Sequence, residues 1–147
     1  MTETMQIEED VFKEKKKFLK RYLRIMKRVE RLEEKLAQLD DRLTSIAGKP
    51  ITDMPKGGIP MTLDDLLANK LETEERINTI VQESRKIRKE ILNVLDGLED
   101  VHHVEVLELF FINGLQLEDI AERMGYTTRH TVRFYTDGIK ELEWPCQ

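Results

Sequence analysis

Cysteine is almost missing from this chain: Cys146 is the one thiol among 147 residues. No disulfide framework can form, which fits a reducing compartment. Aromatic residues make up only 6% of the chain, little for a large globular core. No run of about 18 apolar residues occurs, so no membrane-spanning helix is expected. The opening MTETMQIEED is acidic and lacks the apolar stretch of a secretory leader. A cytoplasmic location is therefore expected. Metal-ligand spacings, nucleophile motifs and carboxylate pairs away from helix surfaces are all lacking, so no enzyme, metal or cofactor is expected. His102 and His103 are neighbours, which on a helix point about 100° apart and cannot share a metal. Lys56–Gly57–Gly58 lacks the spacing and the preceding strand of a phosphate-binding loop.

What the chain has in abundance is charge, 36% of its residues, arranged along two rods. From Val11 onward, apolar residues fall at Phe18, Tyr22, Ile25, Val29, Leu32, Leu36, Leu39, Leu43 and Ile46, alternating gaps of four and three. That is a heptad seam. Three of the four prolines and three of the seven glycines lie within Gly48–Pro60, which forbids a continued helix there. Thr62, with Asp64 and Asp65 after it, is placed to start a second rod. This rod carries Leu63, Leu66, Leu67 and Leu71, then a seam of Ile77, Ile80, Ser84, Ile87, Ile91, Val94 and Leu98. Two rods of similar length joined by one loop imply an antiparallel hairpin. A parallel coiled coil between chains is the alternative, and a hairpin that also dimerises satisfies both patterns.

Beyond Gly97 and Asp100, VHHVEVLELFFI is apolar enough to cover the helices C-terminal to it, and Asn113–Gly114 is a turn signal. Leu117, Ile120, Ala121 and Met124 form the stripe of a short amphipathic helix, and Gly125 is placed to end it. Thr127 stands where an N-cap is wanted. The next helix is expected from Thr128 to Leu142, ended by Pro145 after Trp144, with Thr131, Phe134, Gly138, Ile139 and Leu142 inward. Helix, glycine-bearing turn, helix is the helix-turn-helix of DNA-binding proteins. Thr128, Arg129, Val132 and Arg133 then face outward as candidate base contacts. Arginine makes two hydrogen bonds to guanine, and valine suits a thymine methyl. Arg123, Thr127, His130 and Lys140 are candidate phosphate contacts.

The net charge of −5 is unusual for a DNA binder, but its distribution is uneven. From Lys13 to Arg28 there are nine cations and one acid, a local +8. Lys13, Lys16, Lys17, Lys20, Arg21, Arg24, Lys27 and Arg28 form a basic helix face. Local patches steer nucleic acid more than net charge does. The +3 from Arg123 to Lys140 is modest, so dimerisation or a protein partner is expected to help.

The expected fold is therefore all-α. Residues 1–10 are a disordered N-terminus, 11–98 a helical hairpin or coiled coil with a loop at 48–61, and 99–143 a helix-turn-helix domain.

The segment GLQLEDIAERMGYTTRHTVRFYTDGIKEL resembles region 4 of the sigma-70 family. The long basic helix, Thr44–Ser45–Ile46, the Asp53–Gly58 loop, the second rod and this C-terminus together resemble the ArpU/RinA-type late transcriptional regulators of phages and prophages. The resemblance implies an activator of late phage genes that acts with host RNA polymerase in the bacterial cytoplasm. It also implies base contacts by Thr128, Arg129, Val132 and Arg133. Where the family commonly has a basic residue, Thr128 stands here, and Thr131 stands where an aliphatic is common. The expected partners are double-stranded DNA, the polymerase and further copies of the chain. Alternative functions are a packaging component, such as a small terminase subunit, or a coiled-coil adaptor.

Overall fold

The computed structural model describes residues 2–48 and 62–143. Six helices and no strand occur among them: α1 (Thr2–Leu19), α2 (Arg21–Gly48), α3 (Leu63–Asp96), α4 (Val101–Phe111), α5 (Leu117–Met124) and α6 (Thr128–Glu141). None is long and apolar enough to cross a membrane. The proline- and glycine-rich stretch from 49 to 61, with Asp53–Gly58 in it, lies outside the described residues, as do Trp144, Pro145 and Cys146.

The N-terminus corrects one expectation. Residues 2–10 are helical rather than disordered, and α1 starts well before Val11. Glu3 in the first turn favours the positive end of the helix, and no glycine or proline interrupts it. At Lys20 the ladder carries on, with Lys20 N–H donating to the Lys16 carbonyl at 2.9 Å and Arg24 N–H to the Lys20 carbonyl at 3.1 Å. The first rod thus continues from α1 into α2.

The chain forms two units, Met1–Ile25 with Ser84–Gln147, and Met26–Glu83. The expected boundary at 98/99 falls within the first of these units. The ends of both rods belong with α4, α5 and α6. Burial explains this: Phe18, Leu19, Ile87, Ile91 and Leu95 are buried in the first unit, as are Val106, Leu107, Phe111, Ile120, Ile139 and Leu142. Each such side chain contributes on the order of 1.5–3 kcal/mol. Leu95 is 0% exposed although it lies off the anticipated seam. Within this unit α6 packs on α1, α4 and α5, and α4 also on α5.

In the second unit Val29, Leu39, Leu66 and Ile80 are buried. Lys70 Nζ meets Asp40 Oδ1 at 2.9 Å; this hydrogen bond, then the carboxylate's charge, raises the Lys70 pKa. Thr62 caps α3 as expected, its hydroxyl accepting from Asp65 N–H at 3.1 Å. Ile46, on the first seam, is exposed, as are Leu63, Leu67 and Leu71 ahead of the second seam. Apolar spacing marks a face but does not say that a partner covers it.

Gly138 lies where α4 packs closely on α6. A Cβ there would stand 3.0 Å from Leu107 Cδ1 and 3.2 Å from His103 Cβ. Interior glycine lowers helix propensity, and here it lets α4 and α6 pack closely. Gly125 is different: its φ is +78° and nothing lies within 4 Å of a Cβ built on it. Gly138→Val is expected to destabilise by about 1–3 kcal/mol through overpacking, and Gly125→Ala by roughly 1–2 kcal/mol through backbone strain alone. Urea titration of both variants checks the difference.

Candidate nucleic-acid interface

The α5–α6 turn is built as its residues require. Gly125 ends α5 in the left-handed region, its N–H donating to the Ala121 carbonyl at 2.9 Å. Thr127 caps α6, its hydroxyl accepting from His130 N–H at 3.1 Å. Thr131 is 0% exposed, and its hydroxyl donates to the Thr127 carbonyl at 3.0 Å. The polar group at this core position is therefore satisfied inside the first turn, where an aliphatic would have no such bond.

Gly138, Ile139 and Leu142 complete the buried side of α6, with Phe134 half-buried. Thr128, Arg129, Val132 and Arg133 are all exposed. Val132 keeps 40% of its surface open. Arg129 and Arg133 are one turn apart, about 6 Å along the axis. The first turn of α6 holds no acid, whereas α5 begins with Glu118 and Asp119. The positive end of α6 is thus joined by arginine without a neighbouring carboxylate in that turn.

The four candidate phosphate contacts are spread out. Thr127 is exposed and serves as the cap. Arg123 is exposed in the last turn of α5. His130 is exposed but stacks on Tyr126, with ring centroids 5.2 Å apart, and meets the edge of Phe134 at 4.5 Å. Lys140 lies at the other end of α6, roughly 16 Å along the axis from Arg129. Its carbonyl accepts from Lys15 Nζ at 3.0 Å. The Lys140 side chain is exposed and stands apart from the α6 N-terminus. Lys15 is buried, and desolvation pulls its pKa down.

The basic helix face is largely open, with Lys16 half-buried. Lys13, Lys17, Lys20 and Arg24 are exposed in the first unit, and Lys27 and Arg28 in the second. Lys16 sits over the Phe12 ring at 5.9 Å. Arg21 sits over Phe18 at 5.6 Å and pairs with Glu90 at 3.4 Å. An exposed pair of that length adds little stability.

A ring cluster that spacing alone does not reveal supports the turn. His102 stacks on Phe134 at 5.2 Å, and Tyr126 meets the Phe134 edge at 5.3 Å. The Tyr126 hydroxyl pairs with His102 Nε2 at 3.0 Å. Asp100 caps α4, accepting from His102 N–H at 2.9 Å, and also meets His103 Nε2 at 3.5 Å. Buried His103 reaches Glu141 at 3.1 Å. His102 and Tyr126 are far apart in sequence, so only the folded chain brings them together. Among the described residues no three His, Cys, Asp or Glu side chains gather as a metal would need.

The His102 N–H bond is the main cause that holds the Asp100 carboxyl below the usual carboxylate range. A lowered carboxylate pKa stabilises the fold above its unfolded value and ceases to as pH falls through the folded one. Asp100→Asn keeps a capping oxygen without the titration. Acid unfolding, followed by circular dichroism, is expected to be less steep in Asp100→Asn than in the parent below about pH 4.

No curated protein and no solved structure matches the chain. A family model does match residues 42–143, which take in the end of α2 and all of α3 to α6. The chain thus belongs to the family described as "Protein of unknown function (DUF1492)".

Proposed function

We propose that this chain is a sequence-specific DNA-binding regulator of transcription whose α6 enters the major groove as a recognition helix. It acts by binding and performs no catalysis. The observation that carries this reading is the two-sidedness of α6. Thr131, Gly138, Ile139 and Leu142 are buried, while Thr128, Arg129, Val132 and Arg133 stand exposed beside an acid-free, capped N-terminus. A recognition helix of a helix-turn-helix uses its N-terminal residues in this way. Arg123 and Thr127 would then hold phosphates at the groove edge.

The likeness to sigma-70 region 4 and to the ArpU/RinA-type regulators supports activation of phage or prophage late genes with host RNA polymerase. Within the second unit, Asp41 and Ile46 line a cleft with Leu66, while Lys35 and Leu39 line another with Thr73 and Arg76. Numbers rise on α2 as they fall on α3, which supports an antiparallel hairpin ahead of the helix-turn-helix. Exposed Leu63, Leu67 and Leu71 support pairing with a second copy.

Each arginine is expected to contribute about 1–3 kcal/mol of base discrimination. Arg129→Ala/Arg133→Ala should therefore lose selective binding to fragments of its own genome while keeping the parent's circular dichroism. Equal affinity of the parent for scrambled duplex would overturn the proposal. The exposed leucines also suit an oligomeric packaging component. Light scattering separates the two: a monomer or dimer is expected for the regulator, and a ring of many subunits would favour packaging.

A further inference from the structure

The outer face of α6 does not end at Arg133. At about 100° per residue, Thr136 and Lys140 continue the line of Arg129 and Arg133. The near half of that line is open. Across the far half lies α1: Thr136 and Lys140 line a cleft of about 690 Å³ with Met5, Glu8, Glu9 and Phe12. Buried Lys15 fixes α1 there through its bond to the Lys140 carbonyl. The amine also sits where the last carbonyls of α6 concentrate negative charge.

A helix with side chains is about 10–12 Å across, and the major groove is about 12 Å wide. An α6 seated in the groove has no room for a second helix on its groove-facing side. Thr136 is roughly 10 Å along the axis from Arg129, so α1 crosses the line within reach of the same duplex. The segment of α1 in this cleft carries Glu8 and Glu9, carboxylates that repel phosphate, next to the cations Lys13 and Lys15, which also line it. Further cations, Lys16, Lys17 and Lys20, come later along the helix.

We infer that the acidic first turns of α1 form an intramolecular guard that competes with duplex DNA for the outer face of α6. The inference rests on the reading of α6 as a DNA-binding helix. Binding then requires α1 to leave the Thr136–Lys140 end of that face, with the Lys15 bond given up. Removing the guard's charge is expected to tighten binding without adding any contact to DNA.

The test uses the full chain with Glu8→Gln/Glu9→Gln, and separately with Lys15→Met, binding a labelled genomic duplex at low and high salt. The carboxamide variant is expected to bind about tenfold more tightly at low salt, with the gain shrinking at high salt as charge is screened. Lys15→Met, which releases the anchor, is expected to tighten binding at both salts. Parent-like or weaker binding by both variants, while the parent binds and Arg129→Ala/Arg133→Ala does not, overturns the guard and leaves the DNA reading standing. Absence of binding by parent and variants alike at every salt overturns both. Binding by the variants where the parent binds none supports both. Circular dichroism and thermal melts confirm that each variant is folded, and the carboxamide pair keeps the guard testable if Lys15→Met unfolds.

Discussion

The close contact of α4 with α6 at Gly138 is the constraint on which the C-terminal half of the first unit depends. With no side chain at that position, Leu107 and the Cβ of His103 reach the α6 backbone. His103 then reaches Glu141 on α6 and Asp100 at the start of α4. Its neighbour His102 stacks on Phe134 and meets Tyr126 in the turn. One missing methyl group thus sets a helix spacing at which polar and aromatic contacts on both sides close. Interior packing at this density cannot absorb an added side chain without moving something else.

Electrostatics divides the same helix differently. The buried side of α6 contains no charged residue, and its one buried hydroxyl, on Thr131, is satisfied by the Thr127 carbonyl. Along the outer side, two arginines lie near the capped end, and the carbonyl end is met by the Lys15 amine. Both ends of the helix dipole are therefore answered, one by a neutral hydroxyl and the other by a cation. Only the first leaves a positive field open to solvent.

Much of this was legible in the sequence because it depends on local rules. Gly125, Thr127 and Thr62 do what their side chains do at helix ends anywhere, and the stripes around Ile120 and Ile139 mark faces that are buried. The rest depends on contacts between distant residues. Nothing at fixed spacing joins Lys15 to Lys140, His102 to Tyr126, or Leu107 to Gly138. The helicity of residues 2–10 escaped a reading based on seams because that stretch is good helix sequence without a regular apolar stripe. Ile46 on the first seam, and Leu63, Leu67 and Leu71 ahead of the second, are exposed, since an apolar face in the sequence is equally consistent with solvent or a partner.

The separation of inward from outward residues on α6 also bears on how such a chain can diverge. Thr131, Gly138, Ile139 and Leu142 hold the helix in place, and none of Thr128, Arg129, Val132 or Arg133 belongs to that set. Substitutions at the outward four leave the core intact, so drift there is nearly neutral for folding. Lineages can rewrite that surface repeatedly on an unchanged scaffold, whereas a side chain at Gly138 obliges Leu107 or His103 to shift.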